Sequence, residues 1–250
     1  MIYTGGLWFG PKTEREGFAV EEERTQELAR RQIRRRKKRR QRQTLIRLAG
    51  LCAAALLALG LLKALNRGTV EGVYPEQVLG VTVHTKLAPE GGQNRPGTKR
   101  TIQYIVIHET GNPAAGADAQ AHGELQARGG EGTTGWHYTV DDQEIWHSIP
   151  DDEKAYHAGD GAEGEGNLHG IGIELCVNQD GDFEKTFDNA ARLAGWLMNE
   201  YKIPASRVRQ HFDFSGKDCP EIIRAQGRME EFISLAESYA RQAAEEEDAE

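Results

Sequence analysis

The stretch "TIQYIVIHETGN", Thr101 to Asn112, sets the fold. Thr101 to Ile107 are mostly β-branched or aromatic, the side chains that suit a pleated surface packed on both faces, so they read as a central strand. The run ends at His108, and "HETGN" carries the glycine and asparagine of a turn. Downstream, "GADAQAHGELQAR" reads as a helix, and "WHYTV" and "EIWHSI" flank "DDQ" in the pattern of a hairpin with a short polar turn. "GIGIELCV", Gly170 to Val177, is a second buried strand. In "DNAARLAGWLMNEY" the residues Ala191, Leu193, Ala194, Leu197, Met198 and Tyr201 share one helical face, and "EIIRAQGRMEEFISLAESYARQAA" reads as a closing helix. Strands interleaved with helices over residues 99–243 indicate an α/β domain, a mixed central β-sheet flanked by helices.

The rest of the chain has a different composition. Residues 1–44 hold thirteen Lys/Arg against six Asp/Glu, a net of +7 in a chain whose total is −8, so the remainder carries −15. Ten of the thirteen residues from Arg30 to Arg42 are Lys or Arg. Leu48 to Leu62 follow without a charged side chain, and the apolar stretch over 45–65, roughly 30 Å as a helix, matches a bilayer's hydrocarbon core. The order basic-then-apolar predicts one transmembrane helix, with residues 1–44 a cytoplasmic tail and the α/β domain outside the cell membrane. A cleaved signal peptide fits less well, because no A-x-A site follows and the leading segment is long. The basic run is assigned to this topology rather than to nucleic acid. Residues 66–98, with "APEGGQNRPGTKR", read as a linker with a short strand at Val81 to His84, and 244–250 as an acidic tail.

The chemistry gathers in "QHFDFSGKDCP", Gln210 to Pro220, which sets His211, Lys217 and Cys219 in one loop. A catalytic zinc takes three protein ligands and keeps one position open, and imidazole with thiolate is a suitable donor set. His108, at the end of a buried strand, is the third candidate. Spacing alone leaves the alternatives open: any of the eight histidines could be a core or surface residue, and Cys219 could pair with Cys176 in an oxidising compartment.

"YIVIHETGN", "GWHYTVDD", "YHAGDG", "GIGIELCVN" and "QHFDFSGKDCP" occur in this order. Together they resemble the type 2 N-acetylmuramoyl-L-alanine amidases, most closely the prophage and autolysin branch, with peptidoglycan recognition proteins as more distant relatives. The likeness runs from Thr101 to Phe232. It implies Zn2+ held by His108, His211 and Cys219, Glu174 as acid/base, and Lys217 as the cation that stabilises an oxyanion. It also implies substrate contacts from Trp136, His137 and His157. Some phage members use a tyrosine before the histidine of "WHY"; Trp136 stands there, which adds weight to Glu174. The implied reaction is hydrolysis of the amide between N-acetylmuramic acid and L-alanine in peptidoglycan.

A different class, a module that recognises muropeptides without cleaving them, is the alternative. Binding-only relatives typically lose a zinc ligand, most often the cysteine, and Cys219 is retained. Oligomeric state, stem-peptide preference and physiological role leave no mark in the sequence.

Overall fold

The computed structural model describes residues 34–39, Ile46 and residues 72–249. The chain divides into a unit over Met1–Asn66 and a second over Arg67–Glu250. In the first, residues 34–39 are helical and exposed. Among the described residues no helix is long and apolar enough to cross a membrane, and the expected span over 45–65 lies, apart from Ile46, outside them.

Among its described residues the second unit holds seven strands and six α-helices. In chain order they are β1 (Gln77–Val78), β2 (Val81–Thr85), β3 (Tyr104–Glu109), α1 (Ala119–Ala127), β4 (Tyr138–Val140), β5 (Glu144–His147), α2 (Glu165–His169), β6 (Gly170–Leu175), α3 (Phe183–Glu200), β7 (Val208–Gln210), α4 (Phe212–Ser215), α5 (Glu221–Ala225) and α6 (Met229–Ala249). They form one sheet in the order β1-β2-β5-β4-β6-β3-β7. Only β1–β2 and β4–β5 pair antiparallel, so the sheet is mixed, as the alternation of elements predicts. The β4–β5 hairpin stands where "DDQ" places it, with Asp141 Oδ1 accepting from the Gln143 and Glu144 amides at 2.8 Å.

Strand alternation sorts the two faces. Ile105, Ile107, Ile171, Ile173, Tyr138, Val140 and Ile145 point to one side, where they join Phe187, Leu193, Leu197 and Phe232 of α3 and α6 in the main core. Each fully buried aliphatic side chain of this kind contributes roughly 1.5–3 kcal/mol relative to exposure. Helix α3 starts at Asp182, whose carboxylate accepts from the Glu184 and Lys185 amides. Its Gly195 lets α6 come close, since a Cβ there would lie 2.6 Å from the Ala236 carbonyl oxygen. Val106, His108 and Glu174 point to the opposite face, which α1 partly covers by packing on Trp146.

Two expectations need correction. Residues 72–98 are not a linker. Val78, Val81 and Val83 lie in the main core, β2 pairs with β5, and Arg95 makes a bidentate bond to Glu153 at 2.7 and 2.9 Å. Its Gly, Pro and polar residues make turns and buried hydrogen bonds, which composition alone does not separate from a solvated tether. The closing helix is broken in two at Gly227, which has φ +67. The Arg228 amide donates to the Ile223 carbonyl and the Gly227 amide to Arg224, a pair of bonds that ends α5 before α6 begins. Helix α6 then runs through the expected acidic tail to Ala249.

Candidate metal centre

Three adjacent strands aim the site. His108 is the penultimate residue of β3 and stands opposite Glu174 in the parallel β3–β6 ladder. On the other side Ile107 pairs with Gln210 of β7, so the next residue, His211, emerges beside His108, its amide donating to the Ile107 carbonyl at 3.2 Å. The loop after α4 returns Cys219 to the same place, where its carbonyl accepts from the Phe212 amide at 3.0 Å. His108 is therefore inside a ladder rather than at a free turn.

One donor atom from each of His108, His211 and Cys219 lies within 4.8 Å of the others, and all three residues are buried. The two imidazole Nδ1 atoms are 3.0 Å apart, and Cys219 Sγ is 3.9 Å from His108 Nδ1. Burial, then the neighbouring imidazoles and Lys217, holds the His108 pKa well below the usual histidine range. Burial and Lys217 bring His211 to about 4. Both rings are thus neutral at physiological pH, as ligands must be. Burial raises the Cys219 thiol to about 12, so a thiolate there needs a cation beside it. Two nitrogens and one sulfur facing one point, a set of three donors among the described residues, fit zinc with an open position. Cys176 and Cys219 are both free, so the disulfide alternative does not form.

Glu174 borders this cluster, its Oε1 3.9 Å from His108 Nδ1 and its Oε2 buried without a partner. Burial pushes its carboxyl up to about 8, against the pull of the Lys217 charge. Lys217 itself is exposed on the loop between α4 and Cys219.

The three residues expected to contact substrate are buried in this structure. His137 is fully buried; its Nδ1 accepts from the Gly172 amide at 2.9 Å. Trp136 is almost covered, with its indole N–H on the Thr139 hydroxyl at 2.7 Å. His157 lies behind His108, its Nδ1 3.0 Å from His108 Nε2. The motif "WHY" enters β4 and "YHAGDG" tucks under β6, so these rings pack within the domain.

Glu109 carries no sequence signal for its role. Its carboxylate accepts from the Ile222 and Ile223 amides at 2.8 and 3.0 Å, capping α5 just beyond Cys219. Burial raises its pKa while those amides oppose the rise. Asn167 was equally silent: its Oδ1 accepts from the His157 and Ala158 amides at 2.8 and 2.7 Å.

Residues 98–222 match the family described as N-acetylmuramoyl-L-alanine amidase. The chain belongs to that family. It is 46% identical over 140 residues to the N-acetylmuramoyl-L-alanine amidase CwlH of Bacillus subtilis (strain 168), covering 56% of each chain. It is also 46% identical over 140 residues to XlyA of the same organism, covering 56% of this chain and 46% of XlyA. The chain thus spans about half the length of the curated relatives it matches. The catalytic domain of XlyA aligns with a TM-score of 0.59 at 42% identity, covering 62% of this chain and 99% of that domain. Membership accounts for the order of the five motifs and for the mixed sheet.

Proposed function

We propose that this chain hydrolyses the amide between N-acetylmuramic acid and the L-alanine of the stem peptide, with Zn2+ held by His108, His211 and Cys219. The observation that carries the reading is the convergence of those three donors beside the Glu174 carboxylate. A zinc ion there supplies Lewis acidity and lowers the pKa of water toward ~7.

The chain's own residues divide the remaining work. Glu174, with a free oxygen at the cluster, takes the proton of the attacking water and delivers it to the leaving alanine nitrogen. Lys217 offsets the charge that develops on the former carbonyl oxygen, a contact worth roughly 3–4 kcal/mol in comparable sites.

The same reading includes a membrane anchor. The run Arg30–Arg42 followed by the apolar stretch 45–65 supports a single span with the amino terminus cytoplasmic and the amidase domain outside. Protease accessibility of the domain on intact cells stripped of wall tests this placement.

The reaction is tested by incubating the purified protein with muropeptides, with and without a chelator, and identifying products by mass spectrometry. The reading requires an intact stem peptide with a free L-alanine amine, formed only with metal. Cleavage within the glycan or the peptide would refute it, and tight binding with no product would make the chain a recognition module.

A further inference from the structure

His157 has no part in the mechanism above, yet it occupies one of the most constrained places in the domain. Its ring is buried against β6 and meets His108 edge-on, with centroids 5.0 Å apart. Two contacts define its state. Its Nε2 lies 3.1 Å from the Gly170 carbonyl oxygen, and its Nδ1 lies 3.0 Å from His108 Nε2.

A carbonyl oxygen only accepts, so His157 Nε2 must carry the proton and donate to Gly170. The neutral ring then has a bare Nδ1, which can only accept. His108 Nε2 must therefore be the donor to His157, and the proton on that nitrogen leaves His108 Nδ1 with its lone pair free. That lone pair faces His211 Nδ1 and Cys219 Sγ. We propose that His157 is a positioning residue that fixes the His108 tautomer and ring orientation, presenting Nδ1 for metal binding. Histidine ligands generally need such an acceptor on their second nitrogen, and its loss costs 10–100-fold in metal affinity.

The surroundings are built to hold this ring in place. A Cβ on Gly172 would lie 2.8 Å from His157 Cγ, and one on Gly170 would lie 3.3 Å from His157 Cε1. The two glycines of "GIGIE" thus leave room for an imidazole laid against the strand. Asn167 pins the backbone on both sides of the ring by accepting from the His157 and Ala158 amides. His137 fixes Gly172 from beyond.

The assignment rests on the metal reading of His108, His211 and Cys219, and the test separates the two. Zinc affinity of the purified full-length protein is measured by competition with a chromophoric chelator for wild type, H157A and H157N. Asparagine can set an amide oxygen near the place of Nδ1. The expectation is zinc binding weakened roughly 10–100-fold in H157A and largely recovered in H157N. H157A binding zinc as tightly as wild type, or H157N as weakly as H157A, overturns the assignment. A measurement independent of variant folding is 15N NMR of histidine-labelled, zinc-loaded wild type. His157 protonated at Nε2 with Nδ1 accepting supports the proposal, and a proton on its Nδ1 overturns it. Wild-type protein that takes up no zinc overturns the metal reading and this assignment with it; failure confined to His157 leaves the metal reading intact.

Discussion

Glu174 stands directly across the β3–β6 ladder from His108, and its carboxylate approaches the same nitrogen that the metal reading assigns to zinc, at 3.9 Å. The separation is fixed by strand pairing, not by a loop, so the proposed acid/base group and the proposed metal ligand keep their spacing without substrate. Removing the carboxylate's proton chemistry should therefore leave the metal cluster unchanged. E174Q is expected to lose 10²–10⁴ in hydrolysis rate while binding one zinc with wild-type affinity. Activity assays with metal analysis check this, and loss of zinc in E174Q would make Glu174 a ligand instead.

Metal removal should act on stability as well as on rate. A ligand that binds only the folded chain stabilises it by about 3–4 kcal/mol when present at 100–1,000 times its dissociation constant. Calorimetry should show a lower melting temperature after chelation and recovery when zinc is restored. An unchanged transition would mean that no metal binds the folded domain.

The amino-terminal boundary of the folded domain lies well before residue 99. A fragment beginning at residue 99 lacks β1, β2 and the Arg95 bond to Glu153, and exposes core positions that Val78, Val81 and Val83 cover. Losing three such side chains removes several kcal/mol of burial. Chemical denaturation should find the fragment from residue 72 cooperatively folded and the one from 99 markedly weaker. Equal midpoints would restore the linker reading.

The Arg95–Glu153 pair predicts a specific acid sensitivity. Burial alone would raise the Glu153 pKa, but the two Arg95 bonds and the charges of Arg95 and Lys99 outweigh it and hold the carboxyl below its ordinary value. Its stabilisation is complete above the ordinary carboxyl range of about 4.5 and is lost as pH falls through the lower folded value. E153Q should be less stable near neutrality and show a shallower loss of melting temperature on acidification. A parallel pH profile for the two proteins would remove Glu153 from the acid transition.

The sequence was most informative where side-chain period and chemistry coincide. Thr101 to Ile107 and Gly170 to Val177 identify the central strands, and the Gln210–Pro220 loop identifies two donors, because buried strands and soft ligands leave distinctive residues. The segment 72–98 was misread because Asn94 and Arg95 look like surface residues until Gln126 and Glu153 are brought to them. The contact between His157 and His108 was not legible for a related reason: only the folded register reveals that "GIGIE" has space for a ring. The break at Gly227 was readable in principle, since glycine followed by a fresh amphipathic run is a helix end. Nothing in the chain order announces that Glu109 caps a helix more than a hundred residues later.

That cap has a consequence for how the site is filled. Glu109 directly follows His108 and grips the first turn of α5, which directly follows Cys219 and Pro220, so two distant donors are cross-braced through a single carboxylate. On the proposed metal reading, an arriving ion would meet donors already in register, and its uptake would require little rearrangement of the protein. Exchange of the ion is then governed by its own approach and escape, so apo protein returned to zinc should regain activity without passing through an unfolded state.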